Sequence, residues 1–255
     1  MASAKVKQVI QLLPRFKEDS VVEIGLDEAG RGSFWGPIMA GAVSIPNESE
    51  WTKEQHDILI QMRDSKKIAP KKRALLAQKL KEAIPLCGVG IVHAHEINEH
   101  GITWANREAF RRAYLSLHID HPRLIIDGTL EIDDWKGEQE VVIEGDNKYI
   151  AVGAASILAK VAHDEWIKEY CKEHPECDER YHLIKSNGYG TEPHRNAIKL
   201  YGGHELHRVL YIQNWLPEVK DKQKTHEKPK TYEKQKRGVK NNNGTESKDE
   251  FLIKF

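Results

Sequence analysis

Short apolar runs alternate with polar segments along the chain, in lengths typical of strands and helices that follow one another. The segment "SVVEIGLDE" (20–28) predicts one strand and "GPIMAGAVSI" (36–45) a second. Because only the glycine-rich "AGRGSFW" joins them, we expect a hairpin. Further strands are predicted at 86–94, 123–130 and 138–146.

Three longer segments have the apolar spacing of helices: 69–84, 102–117 and 148–170. The last of these is rich in small residues, so we expect it to approach the sheet closely. The apolar positions that define the first two helices are Leu75, Leu76, Leu80 and Ala83, then Trp104, Phe110, Ala113, Tyr114 and Leu117. The pattern predicts an α/β fold with helices flanking a sheet.

With 255 residues and 39% hydrophobic content, the chain can bury one substantial core and carry an appendage. No apolar run approaches the roughly 18 residues of a membrane span, and the start lacks a secretory pattern. Cys87, Cys171 and Cys177 form no paired framework, which fits a reducing compartment. We therefore expect a cytoplasmic protein, and nothing requires more than a monomer.

The formal net charge is zero, so the charge of the whole chain does not indicate a nucleic-acid partner. Basic residues nevertheless cluster in "DSKKIAPKKR" and in the C-terminal segment, where such patches can meet phosphates. We predict an N-terminal extension (1–19), a catalytic domain (20–216) and a basic, disordered tail (217–255). The final "DEFLIKF" is either a fortuitous end or a docking peptide for a partner.

Four acids fall at the ends of predicted strands or at the loops leaving them: Asp27, Glu28, Asp127 and Asp146. Carboxylates at one sheet edge repel one another unless cations neutralise them, and hard oxygen ligands favour Mg²⁺ or Mn²⁺. Two such ions about 3.5–4 Å apart can activate a water against a phosphodiester. Strand alternation sends Asp27 and Glu28 to opposite faces, so they cannot form one simple clamp. Taken singly, Asp127 or Asp146 could instead be a turn residue or helix cap.

Gly30, Arg31 and Gly32 come directly after the first two acids. The glycines let backbone N–H groups approach a ligand, and the arginine can add a charged contact. The spacing of Gly30, Gly32 and Gly36 does not fit a dinucleotide-binding loop.

Two other clusters could be drawn as zinc sites, although neither has the usual ligand spacing. We interpret both as ordinary polar residues. They are His93, His95 and His100, and Cys171, His174, Cys177 and His182.

Five motifs resemble those of the type 2 ribonucleases H (ribonuclease HII), in the same order and over about residues 20–200. They are "GLDEAGRGSFWGPIMAGAV", "DSKK", "IIDG", "GDNKYIAVGAASILAKVAHDEW" and "GYGTEPH". The resemblance implies a ribonuclease H-like mixed sheet flanked by helices, with a C-terminal helical part. "GRG" rather than "GKG" argues against the sister type 3 enzymes.

The resemblance also assigns roles. Asp27, Glu28, Asp127 and Asp146 match the family's catalytic, metal-binding acids. Gly30, Arg31 and Gly32 match its loop that contacts the ribose 2′-OH, Tyr189 matches the tyrosine at the RNA–DNA junction, and Lys66 matches a phosphate contact. Three departures, Ser33, Trp35 and His163, remove no metal ligand and concern the shape of the substrate groove.

The implied activity is endonucleolytic hydrolysis of RNA–DNA hybrids and of DNA duplexes carrying single ribonucleotides, with two Mg²⁺ or Mn²⁺ ions. Its products carry a 5′-phosphate and a 3′-hydroxyl, which suits ribonucleotide and RNA primer removal, and "DEFLIKF" could then dock on a replication clamp. Two alternatives stay open: a hybrid-binding protein without chemistry, and a related nuclease or strand-transfer enzyme acting on DNA.

Overall fold

The computed structural model describes residues 12–62 and 65–217. Five strands form its sheet: β1 (Glu23–Ala29), β2 (Ile38–Val43), β3 (Cys87–Val92), β4 (Arg123–Asp127) and β5 (Gln139–Val142). The helices of this region are α1 (Lys53–Leu59), α2 (Pro70–Ala83), α3 (Ala94–His100), α4 (Ile102–Leu115), α5 (Ile150–Glu173), α6 (Pro175–Tyr181), α7 (Leu183–Ser186), α8 (Glu192–Tyr201) and α9 (Val209–Ile212). None of these helices is long and apolar enough to cross a membrane.

The sheet is mixed, with strand order β3-β2-β1-β4-β5. β1 pairs antiparallel with β2, as the predicted hairpin requires, and β2 pairs antiparallel with β3. β4 lies parallel to β1 on its other side, and β5 lies parallel to β4. The predicted mixed sheet flanked by helices is therefore confirmed.

Strands β2 to β5 are each shorter than predicted, and for β3 and β5 the local structure shows what ends them. The backbone of Glu144 is left-handed, with φ 55°, and turns the chain away after β5. His93, predicted in a strand, caps α3, and its backbone N–H donates to Glu96 Oε2 at 2.8 Å. The helix Ala94–His100 was absent from the sequence prediction.

The small residues of α5 let this helix lie directly on the sheet, as the sequence predicts. A Cβ added to Gly25 of β1 would lie 2.3 Å from the Ala151 carbonyl carbon of α5. One added to Gly41 of β2 would lie 2.2 Å from the Ala155 oxygen. Only glycines at these strand positions permit such an approach.

Hydrophobic cores form on both sides of the sheet. One lies between the sheet, α5, α2 and α1, and the other lies under α4. The predicted inward positions fit this arrangement with one exception: Leu75 is 52% exposed, because α2 turns Leu76 and Leu80 toward the core instead.

Both ends of the described chain pack on this domain. Leu12 joins the α5-side core, and the backbone of Leu13 pairs with the segment just before α5. At the other end, Tyr181 of α6 and His204 of the segment after α8 lie against Trp35, which is fully buried. The predicted disordered tail, apart from Pro217, lies outside the described residues, and the domain boundaries stay predictions.

Candidate active site

Asp27 and Glu28 end β1 and point to opposite faces of the sheet. The Asp27 side chain is on the α5 face, where the Ser156 hydroxyl stabilises its charged form by a hydrogen bond. Glu28 is on the α4 face near Asn106, whose buried side-chain nitrogen donates to no acceptor within the described residues. The Glu28 backbone N–H donates to Asp27 Oδ1 at 2.6 Å. The alternation expected from the sequence is thus present, and both acids lie at the carboxyl edge of the strand.

Asp127 joins them because β4 runs parallel to β1. The register aligns Leu26 with Ile126, so Asp27 and Asp127 follow at the same edge of the sheet. Asp127 Oδ1 accepts a hydrogen bond of 2.7 Å from the backbone N–H of Gly145. The end of β4 is thereby tied to the turn that follows β5.

That turn, Gly145–Asn147, carries Asp146. The Asp146 side chain is buried, and its Oδ1 accepts a hydrogen bond of 3.0 Å from Asn147 Nδ2. The N-cap of α5 is Tyr149, so Asp146 does not cap this helix. The capping role weighed from the sequence is wrong, and Asp146 remains a buried acid at the sheet edge.

The four acids act on one another electrostatically. Burial raises the pKa of Asp27 well above its ordinary value, and the negative charges of Glu28, Asp127 and Asp146 raise it further. Burial also raises the pKa of Glu28, although Arg31 opposes this effect. A carboxylate with a raised pKa is one whose charge the protein leaves under-compensated.

The chemistry of this donor set fits divalent cations. All four side chains offer hard oxygen ligands, and bound cations would relieve the repulsion that raises the Asp27 pKa. Among residues 12–62 and 65–217, however, no three His, Cys, Asp or Glu side chains are arranged to hold an ion as they stand. The same finding covers both clusters considered as zinc sites, and all three cysteines are free thiols.

The Gly-Arg-Gly loop begins where β1 ends. Gly30 has φ +84°, a conformation that disfavours any side chain, while Arg31 and Gly32 are exposed. A hydrogen bond of 3.0 Å from the Ser33 N–H to the Gly30 carbonyl closes the turn. Only the Arg31–Gly32 part of the loop is therefore open to solvent, because Gly30 is buried.

Tyr189 lies beside this loop, although 157 to 159 positions separate it from the loop glycines in the chain. Its backbone pairs with that of Ser33, and a Cβ on Gly32 would lie 3.8 Å from Tyr189 Cε1. Burial raises the pKa of the Tyr189 hydroxyl, while the Gly30 backbone N–H lowers it. The ammonium of Lys160 lies 5.3 Å from the centre of the tyrosine ring.

Lys66 belongs to a short turn, Ser65–Lys67, that α5 and α2 hold in place. Arg73 Nε donates to the Ser65 carbonyl at 2.8 Å, and the Ser65 and Ser156 hydroxyls are 3.0 Å apart. Because Ser156 also stabilises charged Asp27, this turn is connected to the acids. The preceding Asp64 lies outside the described residues.

Sequence reasoning missed three residues of the site: Ser156, Asn106 and Arg208. Asn106 offered a signal, because it is a polar residue among the inward-facing positions of α4. In the sequence, Ser156 stands out only as one of the small residues of α5. Arg208 gave no local signal, since it contacts the Gly-Arg-Gly loop across 177 positions of the chain.

The three departures from the family pattern are all buried: Ser33, Trp35 and His163 are each 0% exposed. They therefore cannot line a substrate groove, and they influence it only through the loop that they support. His163 lies under that loop: its ring is so near Gly30 that a Cβ added there would be 2.4 Å from it.

Comparison with solved structures identifies the class of the fold. The ribonuclease H2 from Pyrococcus horikoshii OT3 matches with a TM-score of 0.60 and 26% identity, over 76% of this chain and 96% of that chain. Bst-RNase HIII in complex with Mn²⁺ has a TM-score of 0.56 and 18% identity, over 77% and 69% of the two chains, and shows the fold alone. The fold is that of the ribonuclease H class.

Sequence comparisons identify the family. The family model for ribonuclease HII matches residues 24–214. A ribonuclease HII from Prochlorococcus marinus is 40% identical over 190 residues, which are 74% of this chain and 94% of that protein. This chain belongs to the ribonuclease HII family of endoribonucleases, which confirms the resemblance found in its motifs.

Proposed function

We propose that this protein cuts the RNA strand of RNA–DNA hybrids and nicks duplex DNA on the 5′ side of an embedded ribonucleotide. The observation that carries the proposal is that strand register and the turn after β5 bring Asp27, Glu28, Asp127 and Asp146 to one edge of the sheet. Such a cluster is stabilised when divalent cations bind, and phosphodiester hydrolysis uses cations held in this way.

Asp27, Glu28, Asp127 and Asp146 would hold two Mg²⁺ or Mn²⁺ ions after their side chains turn toward a common centre. The chemistry that two bound divalent cations supply is activation of a water and neutralisation of charge on the leaving oxygen. The water oxygen would bond to phosphorus as the bond from phosphorus to the 3′-oxygen breaks, with one proton leaving the water and one proton from solvent reaching the 3′-oxygen. One product keeps a 3′-hydroxyl and the other a 5′-phosphate.

Recognition of the ribonucleotide is assigned to the loop Gly30–Gly32 and to Tyr189. The 2′-OH is the group that distinguishes RNA from DNA at a given position, and it can both donate and accept a hydrogen bond. Exposed backbone at Gly32 and the neighbouring tyrosine support such a contact. Lys66, in the turn Ser65–Lys67, is assigned to a phosphate of the substrate.

In the cell, this activity would serve ribonucleotide removal and RNA primer removal during DNA repair and replication. We propose a cytoplasmic monomer. The segment "DEFLIKF", considered as a docking peptide for a replication clamp, lies outside the described residues, so clamp docking stays a prediction.

The test uses three labelled duplexes of one sequence: all DNA, DNA with one ribonucleotide, and an RNA–DNA hybrid. Each is incubated with Mg²⁺, with Mn²⁺ or with a chelator. We expect metal-dependent nicking 5′ of the ribonucleotide and cutting of the hybrid, with the all-DNA duplex intact. Binding without cutting would favour a hybrid-binding protein, and equal cutting of all-DNA would favour a DNA nuclease; either result would refute the proposal.

A further inference from the structure

Arg208 is a buried cation whose guanidinium donates to three backbone carbonyls. It is 1% exposed. Its three acceptors all belong to the connection between β1 and β2. They are the carbonyl oxygens of Arg31 at 2.9 Å, Gly36 at 3.1 Å and Pro37 at 2.8 Å.

Neighbours of Arg208 make further hydrogen bonds to the same connection. The Tyr211 hydroxyl donates to the same Arg31 carbonyl at 2.9 Å. The Arg208 backbone N–H donates to the Phe34 carbonyl at 2.8 Å, and the Gly36 N–H donates to the Leu206 carbonyl at 2.9 Å. Residues 206–211 therefore hold the connection from its inner side, over most of its length.

The burial of a guanidinium makes this geometry specific. Removing a charge from water is costly unless donors and acceptors match, so each of the three guanidinium nitrogens of Arg208 needs its carbonyl in place. Burial lowers the pKa of Arg208 to about 10, which still leaves it charged at neutral pH. The position of the Arg31 carbonyl is accordingly set by two donors from one segment.

Fixing the Arg31 carbonyl also fixes the direction of the Gly32 N–H, because both belong to one planar peptide group. The described residues contain no cis peptide bond, and in a trans peptide the C=O and the following N–H point in opposite directions. Because Arg208 and Tyr211 draw the Arg31 oxygen inward, the Gly32 N–H is directed to the outer side of the loop. Gly32 is exposed there, next to the Tyr189 ring.

We propose that Arg208, assisted by Tyr211, is a positioning residue that sets the preference for a ribonucleotide over a deoxynucleotide by fixing the Arg31–Gly32 peptide. The inference rests on the proposed function and adds the residues that orient its 2′-OH contact. Arg208 touches no substrate in this account and acts through the loop.

The test compares two constants for each variant. One is the KM for a duplex with one ribonucleotide, and the other is the inhibition constant of the all-DNA duplex of the same sequence. Arg208→Lys keeps the positive charge but cannot reach three carbonyls. We expect it to lower the ratio of inhibition constant to KM by about tenfold, the size of one charge-assisted hydrogen bond.

Two further variants make the result specific. Tyr211→Phe removes one hydroxyl from a half-buried side chain, and we expect a fall in the ratio of about threefold. Arg123→Lys is the matched control, since Arg123 is also 1% exposed but begins β4, at the opposite end from Asp127. We expect it to lower the melting temperature and to leave the ratio unchanged.

Unchanged ratios in folded Arg208→Lys and in Tyr211→Phe would overturn the inference, as would an equal fall in Arg123→Lys. If circular dichroism shows that Arg208→Lys does not fold, Tyr211→Phe decides alone. The unsubstituted protein separates this inference from the proposed function. If it does not cut the ribonucleotide duplex, the function is refuted, whereas cutting with unchanged ratios in the variants refutes only the role of Arg208.

Discussion

Asp127 Oδ1 accepts a hydrogen bond of 2.7 Å from the backbone N–H of Gly145, so the acid that ends β4 also fixes the turn carrying Asp146. The side chain thus has a structural role beside its proposed role as a metal ligand. Two substitutions separate these roles, because an amide oxygen can accept the same hydrogen bond without a charge.

We expect Asp127→Asn and Asp127→Ala both to lose metal-dependent cleavage, by about 100-fold or more, because each removes a charged ligand. Their stabilities should differ. Asp127→Ala leaves the buried Gly145 N–H without its acceptor, which costs about 1–3 kcal/mol of unfolding free energy, while Asp127→Asn retains it. Urea unfolding of both variants measures this. Equal stabilities would show that the hydrogen bond does not hold the turn.

Removal of the Ser156 hydroxyl should weaken cation binding without removing a ligand. That hydroxyl favours the charged form of Asp27, so Ser156→Ala raises the Asp27 pKa further. We expect a loss of Mn²⁺ affinity of about fivefold, from one hydrogen bond to a charged group, by titration calorimetry. Ser186→Ala is the control. Ser186 is a buried serine of α7, and its hydroxyl donates to the Leu183 carbonyl, away from the acids. A similar loss in both would contradict the role of Ser156.

Gly32→Ala should fold normally and still cut poorly. A Cβ at Gly32 would have its nearest neighbour 3.8 Å away, at Tyr189, so it fits without strain. It would nevertheless stand between the loop backbone and a ribose. We expect a rise in KM of about tenfold for the single-ribonucleotide duplex, from one lost polar contact, with an unchanged melting temperature. Normal KM would mean that the Gly32 backbone does not meet the substrate.

A chain of hydrogen bonds behind Tyr189 predicts acid sensitivity. The His204 backbone N–H donates to His207 Nδ1 at 2.8 Å, His207 Nε2 and His194 Nε2 are 3.0 Å apart, and His194 Nδ1 is 3.0 Å from the Tyr189 carbonyl. Only neutral rings satisfy this order, with His207 donating to His194 and His194 donating to the carbonyl.

Burial, with smaller contributions from His194 and His204, lowers the pKa of His207 from 6.5 to about 3. The unfolded chain then takes up a proton that the folded chain does not bind, so stability falls as the pH drops from 6.5 toward 3. The slope for this residue is at most about 1.4 kcal/mol per pH unit. Unfolding free energies of the parent and His207→Gln between pH 7 and 5 measure it, and equal slopes would contradict the assignment.

The placement of the four acids could be predicted because strand ends are visible in the alternation of apolar and polar residues. A parallel neighbour then brings Asp127 to the same edge as Asp27. The close approach of α5 could likewise be predicted from its small residues, whereas the part played by the glycines of β1 and β2 is seen only in the structure.

Other features depend on contacts that no local pattern records. His93 continues an apolar run and so resembled a strand residue, although its backbone N–H donates to the Glu96 side chain at the start of a helix. The exposure of Leu75 follows from the orientation of α2 against α5. The Gly-Arg-Gly loop is held by Arg208, which donates to the Arg31 carbonyl. The two residues are 177 positions apart in the chain, so only the tertiary structure brings them together.

The most direct test of the account is the nicking of a single-ribonucleotide duplex by the parent and by Asp27→Asn, with Mn²⁺ or Mg²⁺. Asparagine keeps the size of the side chain but removes the charge at the centre of the acid cluster, so the account predicts a 5′-side nick by the parent and almost none by the variant. It also predicts a melting temperature for the metal-free variant at or above that of the parent, since a buried repulsion is removed. Metal-dependent nicking that persists at the parental rate in Asp27→Asn would contradict the account.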